Sequence, residues 1–193
     1  CTFGLAFGWS PLFLLSPDQL ASLSFRSPIE LLPYSLLALM SVIMAMLYTR
    51  SFYGLTYLFH RLRLRRQWVP AIGAFATGLL WLALYFLLGR NEQVLAVLSF
   101  GYGSLQNAMT AAGTDEGNLR FAAVLLAIAL GKILTTGLTI GSGGSGGVFG
   151  PSMVIGGCGG GALGIVLHSL SPALVPHPSS FVIVGMAGFF AAA

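Results

Sequence analysis

The sequence predicts an all-α, polytopic integral membrane fold, and three observations carry that reading. Of the 193 residues, 56% are hydrophobic and 7% charged, with a mean hydropathy of +0.87. A soluble domain carries roughly 25% charged residues and needs them to cover a water-facing surface. The apolar residues fall into runs close to the length of a helical crossing, and at about 20 residues each there is room for about six or seven crossings or part-crossings. Between the runs lie short connections rich in Ser, Pro, Gly and charge, with no stretch that builds a soluble domain.

The elements follow in order. Residues 1–15 read as the tail of one span, and "SPDQLASLSFRSPIE" (16–30) as a polar connection with room for a short interfacial helix. Leu31 to Phe59 form a long apolar helix; Pro33 is tolerated in its first turn, where an amide has no intrahelical partner. The basic run "HRLRLRR", His60 to Arg66, leads to a second span from Trp68 to Leu88, and "GRNEQ" closes that hairpin. Val94 to Ala112 is shorter and is interrupted by Gly101, Gly103, Gln106 and Asn107, as in a broken or re-entrant segment. "GTDEGN" separates it from a span over Leu119 to Ile140. After a glycine loop, Val148 to Leu170 forms a glycine-rich helix, "SPALVPHPSS" a loop, and Phe181 opens the last helix.

Both ends lie inside apolar runs, "CTFGLAFGW" and "GMAGFFAAA", so the sequence is expected to be an internal piece of a larger membrane protein. Cys1 and Cys158 are far apart in apolar sequence and read as small buried residues. Arg61, Arg63, Arg65 and Arg66 between two spans mark a cytoplasmic loop by the positive-inside rule. A nucleic-acid patch would need a folded soluble domain, so no nucleic-acid partner is expected.

The loop "GSGGSGG", Gly141 to Gly147, stands between two apolar segments. It spells G-x-G-x-x-G through Gly141, Gly143 and Gly146, but a dinucleotide fingerprint needs a preceding strand and an acidic residue about 20 positions on. The last acidic residue is Glu116. A free linker fails too, because unpaired amides in hydrocarbon cost several kcal/mol each. What remains is a site. A helix beginning near Val148 directs unsatisfied N–H groups back towards the loop and adds roughly half a positive charge. Glycines let an ion approach those amides. Pro151 removes a donor that would lack a partner in any case. Ser142 and Ser145 carry hydroxyls that either satisfy the loop's own backbone or reach an anion. Such a site suits a small anion held weakly enough to be released.

"GSGGSGGVFGPSMVIGG" resembles the CLC family of chloride channels and chloride/proton antiporters. The family's G-x-F-x-P element matches Gly147, Val148, Phe149, Gly150 and Pro151, and "GKILTTGLTIGSGGSGG" looks like the span leading into it, with a basic residue at Lys132. The order of elements is similar to the second of the family's two inverted repeats. The resemblance therefore implies a partial transmembrane domain over 1–193, embedded in the lipid bilayer of the cell membrane, with chloride as substrate and protons as a second candidate. It implies no enzyme activity, no cofactor and no metal, and a homodimer of the complete protein. Backbone amides at Val148 and Phe149 would contact chloride, with Gly147 shaping the approach and Phe149 lining the pathway. Ser145 and Gly146 would support the loop, and Lys132 would raise the local positive potential. The family's serine motif, gating glutamate and proton glutamate belong to its first half and its anion-contacting tyrosine beyond Ala193, and nothing aligns Tyr102 with that tyrosine. Channel and antiporter thus stay open.

Other residues read more plainly. Gly156, Gly157, Gly160, Gly161 and Gly164 interlock as small-x-x-x-small pairs that bring helices close. His60, His168 and His177 lack partners at metal-ligand spacing. Asp115 and Glu116 read as a solvated loop, with a proton relay as the alternative. Two rival functions are weighed: a transporter of another anion (nitrate, sulfate or fluoride) built on half-helix N-termini, and a non-transporting scaffold in which the glycines only pack helices.

Overall fold

A computed structural model describes residues 28–61, 67–88, 92–99, 101–111, 119–172 and 174–193. The helices among them are α1 (Leu31–Arg61), α2 (Val69–Leu87), α3 (Tyr102–Ala111), α4 (Leu119–Gly141), α5 (Phe149–Leu170) and α6 (Ser179–Ala192). Short 3₁₀ turns occupy Pro28–Glu30 and Glu92–Val97. The span expected over 1–15, most of the connection after it, Arg63, Arg65, Arg66, Cys1, Asp115 and Glu116 lie outside the described residues. The described elements are all helical, and α1, α2, α4 and α5 are long and apolar enough to cross a membrane.

Boundaries move where local chemistry moves them. Helix α1 runs on to Arg61, where the ring Nδ1 of His60 lies 2.8 Å from the Thr56 carbonyl oxygen. Helix α6 starts at Ser179, earlier than Phe181: Pro178 stands at the N-cap position in helical conformation, and the Ser180 hydroxyl donates to the His177 carbonyl at 2.7 Å. The Tyr34 hydroxyl donates in turn to Ser180 at 2.9 Å, tying the first turn of α1 to that start. The broken segment is broken at one place. Gly101 has φ +78, which ends the turn Glu92–Val97 and lets the chain re-enter a helix at Tyr102. Gly103, Gln106 and Asn107 sit inside α3. At 1.5 Å per residue, α3 is roughly 15 Å long, about half the hydrocarbon thickness.

Helix α4 is the hub, packing against α1, α2, α5 and the turn Glu92–Val97. Glycines set the distances. A Cβ at Gly137 would press on Leu55 of α1, at 2.8 Å from its Cδ1, and one at Gly131 would meet Leu84 of α2 at 2.8 Å. The α5–α6 pair is closer still: a Cβ at Gly156, Gly160 or Gly185 would overlap the backbone of the facing helix. This is the small-residue packing expected of those positions, reciprocated by Gly185 on α6. Leu125, Ile128, Val154, Ile155, Cys158 and Phe189 fill the space between. The outer face of α2, by contrast, exposes Phe75, Leu79, Leu82 and Phe86, with only Gly73 and Thr77 buried along the helix.

Candidate anion site

The glycine loop leaves α4 through a turn in which the Gly143 amide donates to the Ile140 carbonyl and the Gly144 amide to Thr139, both at 2.9 Å. Gly143 has φ +89, and a Cβ at Gly144 would lie 2.6 Å from the Thr139 carbonyl oxygen. These two glycines are required by the turn. The Ser142 hydroxyl is spent within it, donating to Thr139 at 3.0 Å, so of the two readings for Ser142 the backbone one holds.

Beyond the turn the chain behaves differently. The backbone N–H groups of residues 145 to 150 donate to no described residue. Pairing resumes at Ser152, whose amide donates to the Val148 carbonyl at 3.0 Å; Pro151 has no N–H to place. A Cβ at Gly147 would meet nothing within 4 Å, and one at Gly146 only Ile140 at 3.8 Å. Neither glycine has positive φ. Gly146 and Gly147 thus have no conformational or packing reason within the described residues to lack a side chain. They leave space over a row of amides without partners among the described residues.

The loop residues do not all face the same space. Ser145, Gly146, Gly147 and Pro151 line a cleft of about 280 Å³ together with Lys132, Thr135, Thr136 and Thr139 of α4, Thr77 of α2, and Val97 and Ser99 in the broken segment just before Gly101. Val148 and Phe149 do not line it. They are about half exposed, and the Phe149 ring packs edge-on against Phe190, centroids 5.3 Å apart. Gly150 is buried beneath them.

Lys132 is the sequence's one lysine, and it is 6% exposed. Its ammonium donates to the carbonyls of Ala96 at 3.3 Å, Val97 at 3.2 Å and Ser99. An ammonium has three donors, and the three carbonyls that take them close the C-terminal end of the turn Glu92–Val97, where carbonyls lack helical partners and cations are favoured. Thr135 reinforces the clamp, its hydroxyl donating to the same Val97 carbonyl at 3.2 Å. Thr136 and Thr139 donate to their own helix, to the carbonyls of Lys132 at 2.7 Å and Thr135 at 2.8 Å.

Sequence reasoning missed these threonines, although a signal was present. Lys132, Thr135, Thr136 and Thr139 fall at i, i+3, i+4 and i+7, a polar stripe on one face of an otherwise apolar span. Thr77, from α2, and Ser99 carried no such signal.

Four helices long and apolar enough to cross a membrane, a broken segment and a glycine loop whose amides have no described partner fit a polytopic membrane protein. The chain belongs to the voltage gated chloride channel family, whose model matches residues 2–193. Among curated proteins it resembles the H(+)/Cl(-) exchange transporter ClcA of Vibrio cholerae serotype O1 (strain M66-2), 41% identical over 71 residues, 37% of this chain and 15% of that protein. The ClcA proteins of Vibrio campbellii and Vibrio vulnificus (strain YJ016) are each 39% identical over 69 residues, 36% of this chain and again 15% of theirs. The matched stretch therefore spans well under two thirds of these relatives' length. No solved structure matches.

Proposed function

We propose that this chain forms one wall of a chloride pathway, as the second inverted repeat of a chloride transporter, with the anion held by backbone amides at the N-terminus of α5. One observation carries the reading. Between two helices long enough to cross a membrane, the amides of residues 145 to 150 have no described partner, and the space over Gly147 is open. In hydrocarbon such donors need a partner, and the positive end of α5 favours an anionic one. Val148 and Phe149 contribute amides, Gly147 the approach, and Ser145, Gly146, Gly150 and Pro151 the shape of the loop. Lys132 contributes charge through space, because its N–H donors are occupied.

Coupling to protons follows the names of the relatives, which are exchange transporters. The complete protein works as a homodimer in the cell membrane, with the Arg61 to Arg66 loop on the cytoplasmic side. No cofactor or metal takes part, and no bond is made or broken. The test is anion-selective efflux from liposomes carrying the full-length protein. Chloride and bromide moving in preference to sulfate supports the reading; preference for sulfate overturns it. The second reading, a scaffold, requires that the open position at Gly147 tolerate a bulky side chain without loss of function.

A further inference from the structure

We propose that Phe190 is a positioning residue for Phe149: from the C-terminal end of α6 its ring holds the Phe149 ring in one orientation beside the first amides of α5, and so tunes which anions pass. The inference rests on the reading of this chain as part of an anion pathway and names a determinant of its selectivity.

Both rings are half uncovered. Phe149 is 55% exposed and Phe190 53%, yet they meet edge-on, with centroids 5.3 Å apart and planes at 80°. Phenyl rings that pair only to fill a core are buried; these stand open beside the first turn of α5. The backbone N–H groups of Val148 and Phe149 donate to no described residue, so an apolar rim lies next to unpaired donors. A side chain there has more than one staggered position open to it. Among the described residues Phe190 is the aromatic ring that touches Phe149, and an edge-to-face contact favours one position by about two- to tenfold.

The partner ring is itself fixed. Phe189, one residue earlier, is fully buried and packs edge-on against Tyr48 of α1, centroids 6.0 Å apart. Consecutive helical side chains point about 100° apart, so seating Phe189 inwards turns Phe190 outwards. Further along the same pair of helices, Gly156 and Gly160 of α5 lie so close to α6 that a Cβ on either would overlap the carbonyl of Gly185 or Phe181. The end of α6 cannot slide along α5 without opening that seam, and Phe190 keeps its place relative to Phe149.

A phenyl ring offers an ion no strong hydrogen bond, so an anion passing this rim gives up water there. A ring held still keeps the rim narrow and favours chloride over fluoride, the more strongly hydrated halide. A ring free to swing admits water with the ion and weakens that preference.

Halide flux in liposomes containing the full-length protein tests the assignment. Phe190→Leu, apolar without a ring, should lower the chloride-to-fluoride flux ratio about threefold. Phe190→Tyr keeps the ring and should hold the ratio within about 1.5-fold of wild type. In a Phe149→Leu background, Phe190→Leu should move the ratio by less than about 1.5-fold, because Phe190 acts through Phe149. An unchanged ratio in Phe190→Leu, whether or not the unfolding midpoint falls, is the mark of a purely structural residue; it overturns the proposal and leaves the chloride pathway standing. An equal shift in both backgrounds does the same. No chloride flux from the wild-type protein overturns both. If Phe190→Leu does not fold, Phe190→Met takes its place and is read by the same ratio.

Discussion

The Lys132 ammonium lies 3.2 Å from the carbonyl oxygen of Val97, although 35 residues separate them. That contact fastens the C-terminal end of the turn Glu92–Val97 to the middle of α4, in the cleft that the glycine loop also lines. The wall of the candidate pathway is therefore set by one side chain reaching across the bundle, and several consequences can be measured.

Thr135 and Thr136 are neighbours in sequence with opposite tasks. The Thr135 hydroxyl lies 3.2 Å from both the Val97 carbonyl across the bundle and the Lys132 carbonyl of its own helix, while Thr136 donates only within α4. Thermal unfolding of the full-length protein in detergent should show Thr135→Val destabilised by about 1 kcal/mol and Thr136→Val by less than about 0.5 kcal/mol. Equal losses would mean that the cross-link to the broken segment carries no weight.

Gly101 combines φ +78 with close packing, since a Cβ there would lie 2.8 Å from a methyl group of Val154. Gly101→Ala should cost about 1–2 kcal/mol for the backbone conformation alone, plus the clash. Its unfolding midpoint should fall well below that of Gly103→Ala, where a Cβ meets nothing within 4 Å.

Gly160 and Gly147 separate packing from pathway. A Cβ at Gly160 would overlap the Phe181 carbonyl of α6, so Gly160→Ala should destabilise by about 1–3 kcal/mol. A Cβ at Gly147 meets nothing within 4 Å and the residue is exposed, so Gly147→Trp should leave stability within about 0.5 kcal/mol of wild type, as surface substitutions do. Halide flux in liposomes should nevertheless fall at least about tenfold, the fraction lost when a pathway site is occluded. Full flux in Gly147→Trp would return the loop to a packing role.

Tyr34 and Ser180 join α1 to the start of α6 at 2.9 Å. Tyr34→Phe should cost about 0.5–1.5 kcal/mol and leave halide flux unchanged, because the pair is remote in role from the loop. Loss of flux would show that the seating of α6 matters to transport.

Much of this was legible before any coordinates. Hydropathy and helix punctuation placed every described helix but α3 within about two residues, because those apolar runs are bounded by Gly, Pro or charge; α3 begins at Tyr102, eight residues into the segment expected from Val94. The unpaired amides before Pro151 were legible as well, since a helix that begins after a glycine loop must leave its first N–H groups free. The location of the break was less so: Gly101, Gly103, Gln106 and Asn107 look equally disruptive in a string, and only the backbone shows that Gly101 alone adopts a conformation closed to other residues. The Lys132 clamp could not be read at all. Its acceptors are carbonyls, which every residue has, and they lie 33 to 36 positions away. Nor could the parting of Ser145, Gly146 and Gly147, which line the cleft, from Val148 and Phe149, which do not. Consecutive residues diverge there because the chain turns into α5.

The central claim is that an anion crosses the membrane past the unpaired amides of the glycine loop. Its most direct test is chloride efflux with simultaneous proton uptake in liposomes containing the full-length protein. The account predicts that chloride running outwards drives protons inwards. Chloride flux without protons would remove the coupling and keep the anion site; no chloride movement at all would contradict the account.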